Sequence, residues 1–223
     1  MLIVAILGPF SVIYVPSTLI VPGDAIATAD NIRASEGLLR IGIVSDSLIF
    51  LIEIVVTVLL YVLLRPVSRT LSLVAAFARL AMAIIQGINL LPYFIALLLL
   101  SGAGYLTAFQ PDQLDALVLL FLNAHQYGVY IWQMFFGFHL FVLGYLIFKS
   151  GYFPRILGIL MVVGSLGYLT QSYGSILFPN YEEIFAVVVG VTAVIGELPF
   201  FLWLVIKGVN VQRYNEQAQV KEY

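Results

Sequence analysis

The chain contains no cysteine. Disulfides, thiolate metal sites and cysteine nucleophiles are therefore excluded. Charge is nearly as scarce. Only 10% of the 223 residues are charged, where a water-soluble domain carries about 25%. So few charges cannot cover a water-facing surface. The net charge is −2, and no basic patch is interleaved with aromatics. Nucleic acid is not an expected partner. Histidine occurs only at His125 and His139.

What is present is apolar. Hydrophobic residues make up 62% of the chain, and mean hydropathy is +1.05. The implied solvent is the lipid bilayer. A membrane span needs roughly 20 mostly apolar residues. Six stretches qualify, near 1–20, 41–64, 71–100, 114–148, 155–178 and 184–206. They run without period-2 alternation, so helices rather than barrel strands satisfy their backbones. The expected fold class is all-α, a polytopic transmembrane helical bundle of about six spans. It is expected as one domain over 1–210, with a polar cytoplasmic tail at 211–223 that frays unless a partner holds it. The start, "MLIVAILGPFSVIYVPSTLIVPGD", has no basic n-region and no small-residue cleavage site. It reads as a short first span rather than a signal peptide. Its missing basic flank is what a truncated start would show.

Orientation follows from the basic residues. The loops "RPVSRT" and "KSGYFPR" and the tail hold Arg65, Arg69, Lys149, Arg155, Lys207, Arg213 and Lys221. The positive-inside rule then puts both termini in the cytoplasm and the chain in the cell's inner (cytoplasmic) membrane. The third and fourth spans are long. At helical rise they reach about 45 and 52 Å, against a hydrocarbon core of about 30 Å. They are expected to kink, at Pro92 and near Gly128, or to extend outside the membrane as a hairpin.

Charged and polar residues inside spans are costly and mark candidate sites. Counting from the cytoplasmic ends places Arg79, His139 and Glu197 in one layer, with Glu53 about half a turn further in. A second, outer layer holds Asp46, Gln86, Asn89, Gln133 and Gln171, with His125 near the rim. Within a helix, residues seven apart share a face. Asp46 with Glu53, and Arg79 with Gln86, are such pairs.

This pattern supports several readings. The leading one is binding or translocation of a small polar solute or proton through an outward-open polar interior. Glu53 and Glu197 would be acceptors, Arg79 the counter-ion and His139 the titrating partner. A second is a non-catalytic accessory subunit of a larger membrane complex, or a homo-oligomer. A third is an intramembrane metal- or haem-binding enzyme. The fourteen-residue spacing of His125 and His139 resembles that of helices carrying two stacked haems, but bis-histidine ligation would need a second chain. Arg79 would repel a divalent cation at Glu53, His139 and Glu197. A Ser165–His139–Glu197 arrangement is conceivable, yet no GxSxG elbow supports it. No catalytic motif is expected to make this an enzyme.

The phrases "LIVPGDAIATADNIRASEGLLRIGIVSD", "YVLLRPVSRTLSLVAAFARL", "LLLLSGAGYLTAFQPDQLDALVLLFLNAHQYG", "GYLIFKSGYFPRILGIL" and "VIGELPFFLWLVIKGVN" resemble, in order, the bacterial membrane family catalogued as domain of unknown function 4386. The resemblance covers about residues 17 to 210. It implies a helical membrane fold and transfers no functional residue. Members of that family usually carry a longer, basic segment before the first span.

Overall fold

A computed structural model describes residues 2–220 of the chain. Met1, in the expected first span, and residues 221–223, including Lys221 of the expected basic tail, lie outside the described residues. In order, the helices are α1 (Leu2–Gly8), a π-helical turn (Pro9–Tyr14), α2 (Val15–Leu19), α3 (Ala25–Ala34), α4 (Glu36–Leu64), α5 (Arg69–Ile88), α6 (Leu91–Leu99), α7 (Pro111–Ser150), α8 (Arg155–Leu177), α9 (Glu182–Ile206) and α10 (Val211–Val220). No strand occurs among the described residues. The all-α expectation holds.

Among the described residues, five segments are long and apolar enough to cross a bilayer. They are α4, Arg69–Leu99 (α5 with α6), α7, α8 and Pro179–Ile206. The first expected span is different. Its apolar helix covers only Ile6–Leu19, short of the roughly 20 residues a crossing needs. Pro9 and Pro16 each remove a backbone donor from it, and a π-helical turn fills the gap between α1 and α2. The count is therefore five long spans and one shorter apolar helix.

The two long segments resolve differently. The third breaks at Asn89 and Leu90, and α6 restarts with Pro92 in its first turn. A proline is tolerated there because that N–H has no helical partner to lose. The fourth, α7, is one continuous helix of 40 residues through Gly128. Its length of about 60 Å carries it beyond a hydrocarbon core of about 30 Å.

The chain divides into two compact units. One is Met1–Ile52 with Ala83–Val129, the other Glu53–Met82 with Tyr130–Tyr223. In the first, Val15, Leu19, Ile32, Leu39, Ile43, Leu90, Tyr93, Val118 and Leu122 form a buried core. Asp24 caps α3 by accepting from the Ala27 N–H at 2.9 Å, satisfying an orphan donor of the first turn. Arg33 near the end of α3 pairs with Asp115 of α7 at 2.5 Å and with Asp30 at 2.8 Å.

In the second unit, α8 and α9 cross closely. A Cβ built on Gly196 would lie 2.8 Å from the Gly164 Cα, so only a small residue admits this approach. Residues 211–220 of the tail form α10, whose Tyr214 packs edge-on against Tyr152 at 5.5 Å. Arg213 donates to the Gly151 carbonyl at 3.1 Å. Tyr152 donates to the Leu63 carbonyl at 2.7 Å. Burial, with Tyr214 beside it, pushes the Tyr152 phenol above its usual range.

Candidate functional site

Three helices of the second unit supply the innermost polar group: Glu53 from α4, Arg79 from α5 and His139 from α7. All three are buried. Arg79 Nη2 pairs with the Glu53 carboxylate. Arg79 Nη1 lies 2.9 Å from His139 Nε2, and His139 Nδ1 lies 2.8 Å from the Ala75 carbonyl. A guanidinium only donates and a carbonyl only accepts. His139 is therefore neutral, with its proton on Nδ1 and its Nε2 lone pair taken by Arg79.

That geometry revises two expectations. His139 is not placed to be the titrating partner, because a second proton on Nε2 would face the Arg79 N–H. Nor does its ring have a lone pair to offer a haem iron or a divalent metal. His125 is placed differently. Its Nδ1 lies 2.7 Å from the Asn89 carbonyl, and its ring stacks on Tyr93 at 4.1 Å. Among the described residues, no three His, Asp or Glu side chains are grouped to hold a metal ion.

Glu197 does not join the Arg79 pair directly. It accepts from the Tyr168 hydroxyl at 2.7 Å. Between the two groups stands Phe136. Its ring stacks on His139 at 6.1 Å, lies under the Arg79 guanidinium at 5.7 Å and meets Tyr168 edge-on at 4.9 Å. Glu197 still interacts electrostatically with Arg79 and Glu53. A cavity of about 10 Å³ beside His139 is lined by Thr57 and Ser72 among apolar side chains. The Ser72 hydroxyl has no partner among the described residues. That volume suits a single water molecule. Ser165 bonds the Val162 carbonyl of its own helix at 2.8 Å, so its hydroxyl is spent locally.

The outer layer is three hydrogen-bonded groups rather than one. In the first unit, the Ser11 hydroxyl lies 2.8 Å from Asp46 Oδ1, and the Gln86 side chain also bonds that carboxyl. Also in that unit, Asn89 and His125 clamp each other. Asn89 Nδ2 donates to the His125 carbonyl at 3.0 Å, while the His125 ring bonds the Asn89 carbonyl. Gly128 makes the clamp possible, since a Cβ there would fall 1.9 Å from Asn89 Oδ1. In the second unit, Gln133 donates to Gln171 at 2.7 Å and accepts from Ser172 at 3.3 Å.

Sequence reasoning missed Tyr168, Phe136 and Ser11. Tyr168 carried a signal. With Ser165, Gln171 and Ser172 it forms a polar stripe at helical spacing. Phe136 and Ser11 carried none, because each matters only through a contact distant in sequence.

The fold and these paired groups define a polytopic helical membrane protein with a buried polar cluster. The chain belongs to the family described as Domain of unknown function (DUF4386), whose profile matches residues 1–208. An uncharacterised protein of Archaeoglobus fulgidus is 36% identical over 166 residues, covering 74% of this chain and 83% of that protein. No solved structure matches the chain.

Proposed function

We propose that this protein binds and passes a proton across the cytoplasmic membrane, with Glu197 as the exchanging acid and both termini in the cytoplasm. The observation that carries this reading is a charge count. The inner cluster has one arginine, Arg79, for two carboxylates, Glu53 and Glu197, and His139 is neutral by its hydrogen bonds. An unbalanced charge inside a span is expensive. One further proton makes the cluster neutral. Arg79 pairs with Glu53, so the proton is assigned to Glu197, which is hydrogen-bonded to the Tyr168 phenol rather than to a cation.

Purified protein in liposomes carrying an internal pH dye tests this. Proton flux above that of empty liposomes is expected, and Glu197→Gln should abolish it. Flux unchanged by Glu197→Gln overturns the proposal. So does an inert protein that co-purifies with large membrane partners and tolerates that substitution, which is the accessory-subunit outcome.

A further inference from the structure

Asp46 is buried on α4, and its Oδ1 lies 2.8 Å from the hydroxyl of Ser11, which is also buried. That hydroxyl also lies 3.0 Å from the Leu7 carbonyl and 3.5 Å from the Gly8 carbonyl. A serine hydroxyl has one proton, and a backbone carbonyl can only accept. If Asp46 were a carboxylate it too could only accept, and one proton would have to serve oxygens on both sides. If Asp46 carries a proton, the two shortest contacts of the Ser11 hydroxyl are both proper hydrogen bonds. Asp46 donates to Ser11, and Ser11 donates to Leu7.

The Gln86 side chain from α5 also bonds the carboxyl. From α6 comes Tyr93, a buried phenol that interacts electrostatically with Asp46. The His125 ring of α7 stacks on the other side of Tyr93 and is tied to the Asn89 carbonyl. Arg40, on α4 itself, is paired with Glu36 at 2.6 Å. No Arg or Lys contributes to the setting of Asp46 among the described residues. Ser11 is presented by the π-helical turn, a distortion frequent at functional sites.

We infer that Asp46 and Ser11 form a proton-binding site that latches the π-helical turn onto α4. Proton loss leaves a buried negative charge facing a hydroxyl already claimed by Leu7, and the latch opens. This site lies wholly in the first unit and does not depend on Glu197.

Infrared spectroscopy of the full-length protein in lipid tests it. At neutral pH, a protonated-carboxyl stretching band is expected in the wild type. The component that belongs to Asp46 should vanish in Asp46→Asn, shift in Ser11→Ala and persist in Glu197→Gln, which removes the separate component of Glu197. Amide exchange across residues 9–19 should lose protection at alkaline pH in the wild type but not in Asp46→Asn. The inference is overturned if no band is lost in Asp46→Asn. It is equally overturned if sodium removes the band at constant pH, which would make the site a cation site. Should Asp46→Asn fail to fold, an unshifted spectrum in Ser11→Ala overturns it.

Discussion

Arg79 donates to His139 at 2.9 Å while the Ala75 carbonyl takes the proton on the opposite ring nitrogen. A histidine wedged between a pure donor and a pure acceptor has one tautomer and one charge state. Nitrogen NMR of His139 should therefore show the neutral Nδ1–H form, unchanged from mildly acidic to mildly alkaline pH. His139→Ala should lower stability by about 1–3 kcal/mol or more, because it strips a buried donor of its acceptor. Thermal unfolding in detergent measures this.

Arg79 and Glu53 should behave as a unit. Glu53→Gln leaves Arg79 with an unpaired charge, and breaking a buried pair from one side costs about 3–5 kcal/mol. The double variant Glu53→Gln with Arg79→Gln should be more stable than Glu53→Gln alone. A double-mutant cycle read by chemical or thermal unfolding would show strong coupling. Simple additivity would contradict the pair.

Gly128 should resist enlargement. The Cβ of Gly128→Ala collides with Asn89 Oδ1, 1.9 Å away. Asn89 must swing off and lose its bond to the His125 carbonyl. Overpacking of this kind costs about 1–3 kcal/mol. Adding Asn89→Ala removes the colliding atoms, so the double variant should recover stability relative to Gly128→Ala.

The Arg33–Asp115 pair joins a guanidinium that is 42% exposed to a carboxylate that is only 8% exposed. Fully exposed pairs contribute about 0–1 kcal/mol, but Arg33→Gln also leaves the buried Asp115 without its cation, which adds a cost. Arg33→Gln should lower the unfolding midpoint measurably. The shift should shrink as salt rises, because screening weakens exposed pairs.

Orientation can be read cleanly because the chain has no cysteine of its own. Single cysteines at exposed Asn215 and Thr107 would be the sole thiols. With both termini inside, a membrane-impermeant thiol reagent applied to whole cells should label Thr107→Cys and spare Asn215→Cys. The reverse pattern would invert the proposed topology.

The helical class was legible because it depends on composition. Long apolar runs have no other way to satisfy their backbones in lipid. The break near Pro92 was legible too, since proline acts locally. The unbroken course of α7 was not. Glycine lowers helix propensity wherever it stands, and only the Asn89 side chain shows that Gly128 clears space.

Depth counting brought Arg79, Glu53 and His139 within reach of one another because rise per residue is constant. It has no rotational information between helices. So it could not see that Phe136 and Tyr168 stand between Arg79 and Glu197, or that the outer polar residues pair off in three groups. The sequence by itself determined that this chain lives in a membrane and which polar residues lie inside its spans. Only the tertiary structure decided which of them touch. Hydrogen-bond partners are set by how helices face one another, and that is a property of packing rather than of spacing along the chain.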